Sequence, residues 1–161
     1  MKLSLVFTVA VLVLSQGCKK DDNPTQPPPN PASTTCNFTT DVVVVDGTSG
    51  NVIKANCSTP GSSYIAEFLT DTSVAPTGIA LVFSTATSPD SGNYATQADA
   101  AHIAAGEVYV EYYNPTTAWH ATTGTVHVAQ SGAAKIFTFC SLTLTAGGTS
   151  TKSVSIRGTC N

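Results

Sequence analysis

From Cys36 onward, short runs of β-branched and aromatic residues alternate with turn chemistry. The runs fall at 41–46, 51–57, 63–70, 78–85, 106–113, 124–129, 135–145 and 152–159. Between them lie Gly47-Thr-Ser-Gly50, Ser58-Thr-Pro-Gly61, Pro89-Asp-Ser-Gly92, Ser131-Gly132 and Gly147-Gly148. Eight strands at roughly ten-residue spacing predict an all-β domain, an antiparallel β-sandwich. In the last run Val154 and Ile156 share one face, and Ser153, Ser155 and Arg157 share the other. In the run before it, Phe137 and Phe139 have one parity and Leu142 and Leu144 the opposite one. That switch predicts a β-bulge near Cys140-Ser141.

Residues 95–105 break the strand pattern. Ala-Thr-Gln-Ala-Asp-Ala-Ala-His-Ile-Ala-Ala is good helix material with Gly106 as a stop, so one short connecting helix is expected there.

The N-terminal end is built differently. Lys2 precedes an apolar run from Leu3 to Leu14, which is shorter than the roughly 20 residues needed to span a bilayer and fits a secretory signal peptide over 1–17. Residues 19–35 hold a run rich in proline, Asn23-Pro-Thr-Gln-Pro-Pro-Pro-Asn-Pro31, which excludes helix and inner strand. In polyproline II such a stretch reaches about 50 Å, so 18–35 reads as a tether and 36–161 as the domain it carries.

Charge narrows the class of partner. Only 11% of residues are Asp, Glu, Lys or Arg, the net charge is −3, and Ser and Thr fill 41 of 161 positions. Without a basic patch there is no footprint for nucleic acid. Besides Cys18, four of the five cysteines remain: Cys36, Cys57, Cys140 and Cys160. In an exported domain an even number implies two disulfides, with three possible connectivities. The expected pairing ties sequence neighbours, Cys36–Cys57 and Cys140–Cys160; the alternative, Cys36–Cys160 with Cys57–Cys140, staples the termini.

No catalytic, cofactor or metal motif stands out. Gly-x-Ser-x-Gly and His-Glu-x-x-His are absent, and Gly147-Gly-Thr-Ser-Thr-Lys152-Ser153 lacks the glycine before lysine of a phosphate loop. His102, His120 and His127 are not spaced as ligands on one element, and His127 faces away from Val126 and Val128. Glu107 and Glu111 share a strand face about 13 Å apart, too far for a glycosidase pair, and Glu67 and Asp71 have no assigned neighbour. The aromatic cluster is the best candidate for ligand binding. Tyr109, Tyr112, Tyr113, Trp119 and His120 fall in and beside the Asn114-Pro-Thr-Thr-Ala118 loop. Such rings stack on sugars while neighbouring polar groups bond hydroxyls. The competing reading puts Trp119 and some of the tyrosines in the core.

Leu14-Ser-Gln-Gly-Cys18-Lys-Lys-Asp-Asp22 resembles a bacterial lipobox, with Leu14 four positions before the cysteine where the pattern has three. The Cys-Lys-Lys-Asp-Asp run resembles the start of lipoproteins of Bacteroidetes-type bacteria. The resemblance implies lipidation of Cys18, an outer-membrane anchor, and display on the cell surface in preference to the periplasmic face. Two or more acyl chains hold a protein firmly to lipid. Gly124-Thr-Val-His-Val, Phe137-Thr-Phe and Val154-Ser-Ile-Arg-Gly are similar to small β-sandwich domains of lipoproteins in that group. This implies a fold and no activity. The expectation is a lipid-anchored, non-catalytic binding domain with polysaccharide as its partner. An accessory subunit of an envelope protein complex is the alternative, and a small hydrolase ranks third.

Overall fold

A computed structural model describes residues 36–161; the expected signal peptide, Cys18 and the tether lie outside the described residues. The all-β expectation holds, with eleven strands in place of eight, and they join in one mixed sheet. In chain order they are β1 (Val42–Val45), β2 (Thr48–Asn51), β3 (Lys54–Ser58), β4 (Tyr64–Leu69), β5 (Gly78–Phe83) and β6 (Gly92–Gln97). Then come β7 (Glu107–Asn114), β8 (Thr117–Ala121), β9 (Thr125–Ser131), β10 (Ala134–Ala146) and β11 (Ser150–Cys160). The order across the sheet is β2-β1-β11-β10-β9-β6-β7-β5-β4-β3, and β8 bridges β10 and β7.

Three strands depart from the sequence reading, two for a local reason and the third through pairing with later strands. The first hairpin turns at Asp46-Gly47, where φ is 49° and 81°. Positive φ at both central residues is the turn that matches strand twist, which leaves Thr48–Asn51 free to pair as β2. β8 begins at Thr117 because Asn114 Oδ1 accepts from the Thr116 and Thr117 amides, both at 3.0 Å, closing a tight turn over Pro115-Thr116. The expected helix over 95–105 is absent, and there is no helix among the described residues. Ala95 and Thr96 are held in β6, between Glu107 and Val108 on one side and β9 on the other. A three-turn helix is marginal alone, and these ladders override its propensity. The rest of the segment folds on Asp99, which accepts from the Ala101 amide at 2.9 Å.

The sheet curls so that its inward residues meet. Phe137 of β10 packs against Phe68 of β4 and Phe83 of β5, with ring centroids 5.9 and 5.8 Å away. Phe68 in turn lies against Gly158 of β11, where a Cβ would come within 2.5 Å of the ring. Burying each such ring contributes roughly 2–3 kcal/mol. The predicted bulge is present: β10 shifts register between Phe139 and Leu142, and Ser141 sits at φ 52° with its amide on Ser155 Oγ. The extra residue turns both Phe139 and Leu142 inward. It also lets β10 pair with β9 before the bulge and with β8 after it.

The disulfides follow the third connectivity, Cys36–Cys140 and Cys57–Cys160, which corrects both pairings anticipated above. The reason is topological. Cys57 lies on β3 at the far end of the sheet path, and the curl brings it to the last residue of β11, with Cα atoms 6.0 Å apart. Cys36 reaches the bulge at Cys140, with Cα atoms 5.6 Å apart.

Candidate functional site

β7 organises the site through its alternation. Val108 and Val110 are fully buried, so Tyr109, Glu111 and Tyr113 share the opposite, outer face. Register extends that face into a row across five strands: Asn56, Glu67, Ala80, Glu111 and His120 stand opposite one another in turn. At about 4.8 Å per strand the row spans roughly 19 Å.

Small residues on β5 make the row continuous. A Cβ at Gly78 would come within 2.9 Å of the Tyr113 hydroxyl, so the Tyr113 side chain crosses over this glycine. The Tyr113 hydroxyl donates to Glu67 Oε1 at 2.5 Å, and Asn56 Nδ2 donates to Glu67 Oε2 at 2.8 Å. Both oxygens of Glu67 are thereby engaged. Glu111 is held on one side, where Oε2 accepts from the Tyr109 hydroxyl at 2.6 Å. Beside it the Tyr109 and His120 rings run near-parallel, 19° between planes and 6.4 Å between centroids. Burial first, then the hydrogen bond to a carboxylate, pushes Tyr109 and Tyr113 well above the ordinary phenol value. Both stay neutral donors at physiological pH.

The five residues of the sequence cluster do not form one surface. Tyr109, Tyr113 and His120 lie on the outer face, and Tyr112 and Trp119 turn inward. Trp119 is 6% exposed, its indole donates to Ser150 Oγ at 2.9 Å, and its ring lies 5.5 Å from that of Tyr112. The Lys152 ammonium stands 5.9 Å from the indole centroid and pairs with Asp46 at 2.6 Å. Trp119 is thus a core residue with a satisfied N–H. The cause is β8: Trp119 pairs with Tyr112 across the hairpin, and cross-strand partners share a face.

The remaining candidates are spread out. His127 faces outward with Nδ1 3.0 Å from Asn93 Oδ1, and His102 is exposed beside Asp99. Glu107 accepts from the Ala104 amide at 2.9 Å, and Asp71 accepts from the Ser73 and Thr77 amides. No group of three or more His, Cys, Asp or Glu among the described residues is placed to hold a metal. Sequence reasoning missed Asn56 and the pairing of Glu67 with Tyr113, because only register across β3, β4, β5 and β7 joins them.

The arrangement offers the near-parallel rings of Tyr109 and His120, the Glu111 carboxylate beside them, and a flanking brace of Tyr113, Glu67 and Asn56. Chemically it stacks apolar ring faces and accepts hydroxyl protons. No protein-family model, curated protein or solved structure matches this chain.

Proposed function

We propose that residues 36–161 form the non-catalytic binding domain of a lipid-anchored cell-envelope lipoprotein, and that the outer face of β7 and β8 takes glycan. The curled sheet serves as a two-layered sandwich whose outer wall is the binding surface. The observation that carries the reading is the near-parallel pair of Tyr109 and His120 beside Glu111. Aromatic faces pack against the C–H faces of sugars, and a carboxylate forms charge-assisted bonds with their hydroxyls. Tyr113, Glu67 and Asn56 hold the neighbouring surface in shape before a ligand arrives, which lowers the ordering cost of binding. The anchor rests on the lipobox-like run ending at Cys18, and display at the outer surface rests on Lys19-Lys-Asp-Asp22.

Affinity electrophoresis of the purified protein through gels holding different polysaccharides tests the binding surface. At least one neutral polysaccharide is expected to retard it, with Tyr109→Ala and His120→Ala each weakening retention about tenfold, equivalent to about 1.4 kcal/mol. Unchanged retention in both variants overturns the surface. For the anchor, Cys18→Ser is expected to move the protein from the membrane fraction to the soluble one.

A further inference from the structure

β7 starts at Glu107, whereas the chain after β5 continues past it through residues 84–91 before β6 begins at Gly92. The place β7 vacates is a cleft of about 350 Å³, open to solvent and lined in part by the turn at residues 104–106. Tyr94 is the aromatic residue on its surface, with Phe83 buried beneath. Phe83 is 1% exposed, and Tyr94 meets it edge-on at 5.0 Å with its hydroxyl donating to the Asp90 carbonyl at 3.0 Å. Thr87, Ser88, Asp90 and Glu107 also line it, and none of the lining residues is Lys, Arg or His.

We infer that this cleft is a second subsite, one that takes a single neutral or amino-bearing sugar ring as the end unit of a chain lying along β7. The inference rests on the glycan reading above and gives it a direction. Glu107 shares its face with Tyr109, Glu111 and Tyr113, so a ligand following that line for about 20 Å arrives at the cleft. The volume lies at the low end for small-molecule sites, the size of one ring and not of a chain segment. The chemistry selects by charge. Two carboxylates without a cation favour hydroxyl and ammonium donors and repel acidic sugars.

Amide NMR of the folded protein, titrated with a neutral hexose, its amino analogue and its uronic acid, tests this. The neutral and amino sugars are expected to shift amides of residues 84–90 and 104–107, and the uronic acid to leave them in place. Asp90→Asn with Glu107→Gln, which keeps the acceptor for the Ala104 amide, is expected to weaken the amino sugar about tenfold. Silence in those amides, or equal response to the uronic acid, overturns the subsite. The two readings fail separately. A polysaccharide that shifts residues 109–120 but not the cleft leaves the outer face standing and removes the subsite. A hexose that fills the cleft while Tyr109→Ala and His120→Ala leave polymer binding unchanged does the reverse.

Discussion

Tyr113 and Glu67 are 46 residues apart in the chain, and the tyrosine hydroxyl donates to the carboxylate at 2.5 Å across the β5 strand between them. The contact exists because Gly78 offers no side chain beneath the Tyr113 hydroxyl. It ties β7 to β4 on the outer face without any help from the core.

The tyrosines set an alkaline limit to stability. Tyr64, Tyr94, Tyr109, Tyr112 and Tyr113 all have hydroxyl pKa values raised above 10.0, in each case with burial as the largest cause. A raised pKa means that the folded state holds its proton more tightly than the unfolded chain. The contribution is therefore complete below about pH 10 and is lost as pH climbs from there toward the folded values. Melting temperature is expected to be flat up to about pH 10 and to fall beyond it. Tyr113→Phe should flatten that fall. A phenolate titration of the folded protein in which all five groups ionise together near pH 10 contradicts this.

On the acid side, Asp71 controls the β4–β5 connection. The Ser73 hydroxyl and amide and the Thr77 amide all bond its carboxylate, which lowers its pKa from 3.8 to about 2. A lowered pKa gives the opposite sign: the contribution is present above about pH 4 and is lost as pH falls through about 2. Protection of the Ser73 and Thr77 amides, taken relative to the intrinsic exchange rate at each pH, is expected to fall across that window, and Asp71→Ala should lack that protection at neutral pH. Protection that persists in Asp71→Ala removes the carboxylate as the cause.

Trp119 is the only tryptophan, and it reports on the core. Its emission is expected to be shielded from neutral quenchers and indifferent to any glycan bound on the outer face. Ser150→Ala removes the acceptor of its indole N–H and should cost about 1–3 kcal/mol, the range for stranding a buried donor. Denaturant midpoints measure that loss. A neutral Ser150→Ala means that the indole finds water instead.

How much was legible in the chain depended on the range of the interactions involved. Strand periodicity and the parity switch between Phe139 and Leu142 are local, and both the β-rich class and the bulge at Ser141 followed from them. For the aromatic cluster the chain left two readings open, a surface and a core plug, because proximity in sequence is not proximity on a face. Once Pro115-Thr116 is a two-residue turn, Tyr112 opposite Trp119 and Glu111 opposite His120 divide the cluster between two faces. The helix at 95–105 lost to ladder pairing with strands further along the chain. The cysteine pairing was least accessible, since separations of 104 and 103 residues are set only by the closure of the sheet.

Those long separations make the bridges matter for stability. A cross-link that closes a loop of about 100 residues stabilises by roughly 4.7 kcal/mol in the chain-entropy account, and the second bridge adds less because the first already confines the chain. The double variant Cys57→Ser with Cys160→Ser is expected to lower the denaturant midpoint strongly, since it frees edge strand β3 from β11. Peptide mapping without reduction should recover Cys36 with Cys140 and Cys57 with Cys160. Recovery of either neighbour pairing refutes the topology as well as the bridges.

Gly158 provides the sharpest test of how the sheet curls. A Cβ there would sit 2.5 to 2.8 Å from three ring atoms of Phe68, a fully buried side chain on β4. Gly158 itself is in β11 opposite Phe137, so the backbone cannot retreat without breaking the β10 ladder. Gly158→Ala must therefore displace the ring, and overpacking of this kind costs about 1–3 kcal/mol. Phe68→Leu alone leaves a void and is destabilising too. Together the two changes compensate, because the shorter side chain vacates the space that the new methyl group needs. The double variant is expected to be more stable than the sum of the single losses by at least about 0.5 kcal/mol, the signature of residues in contact. Strict additivity in urea denaturation places β4 and β11 apart and removes the curled arrangement.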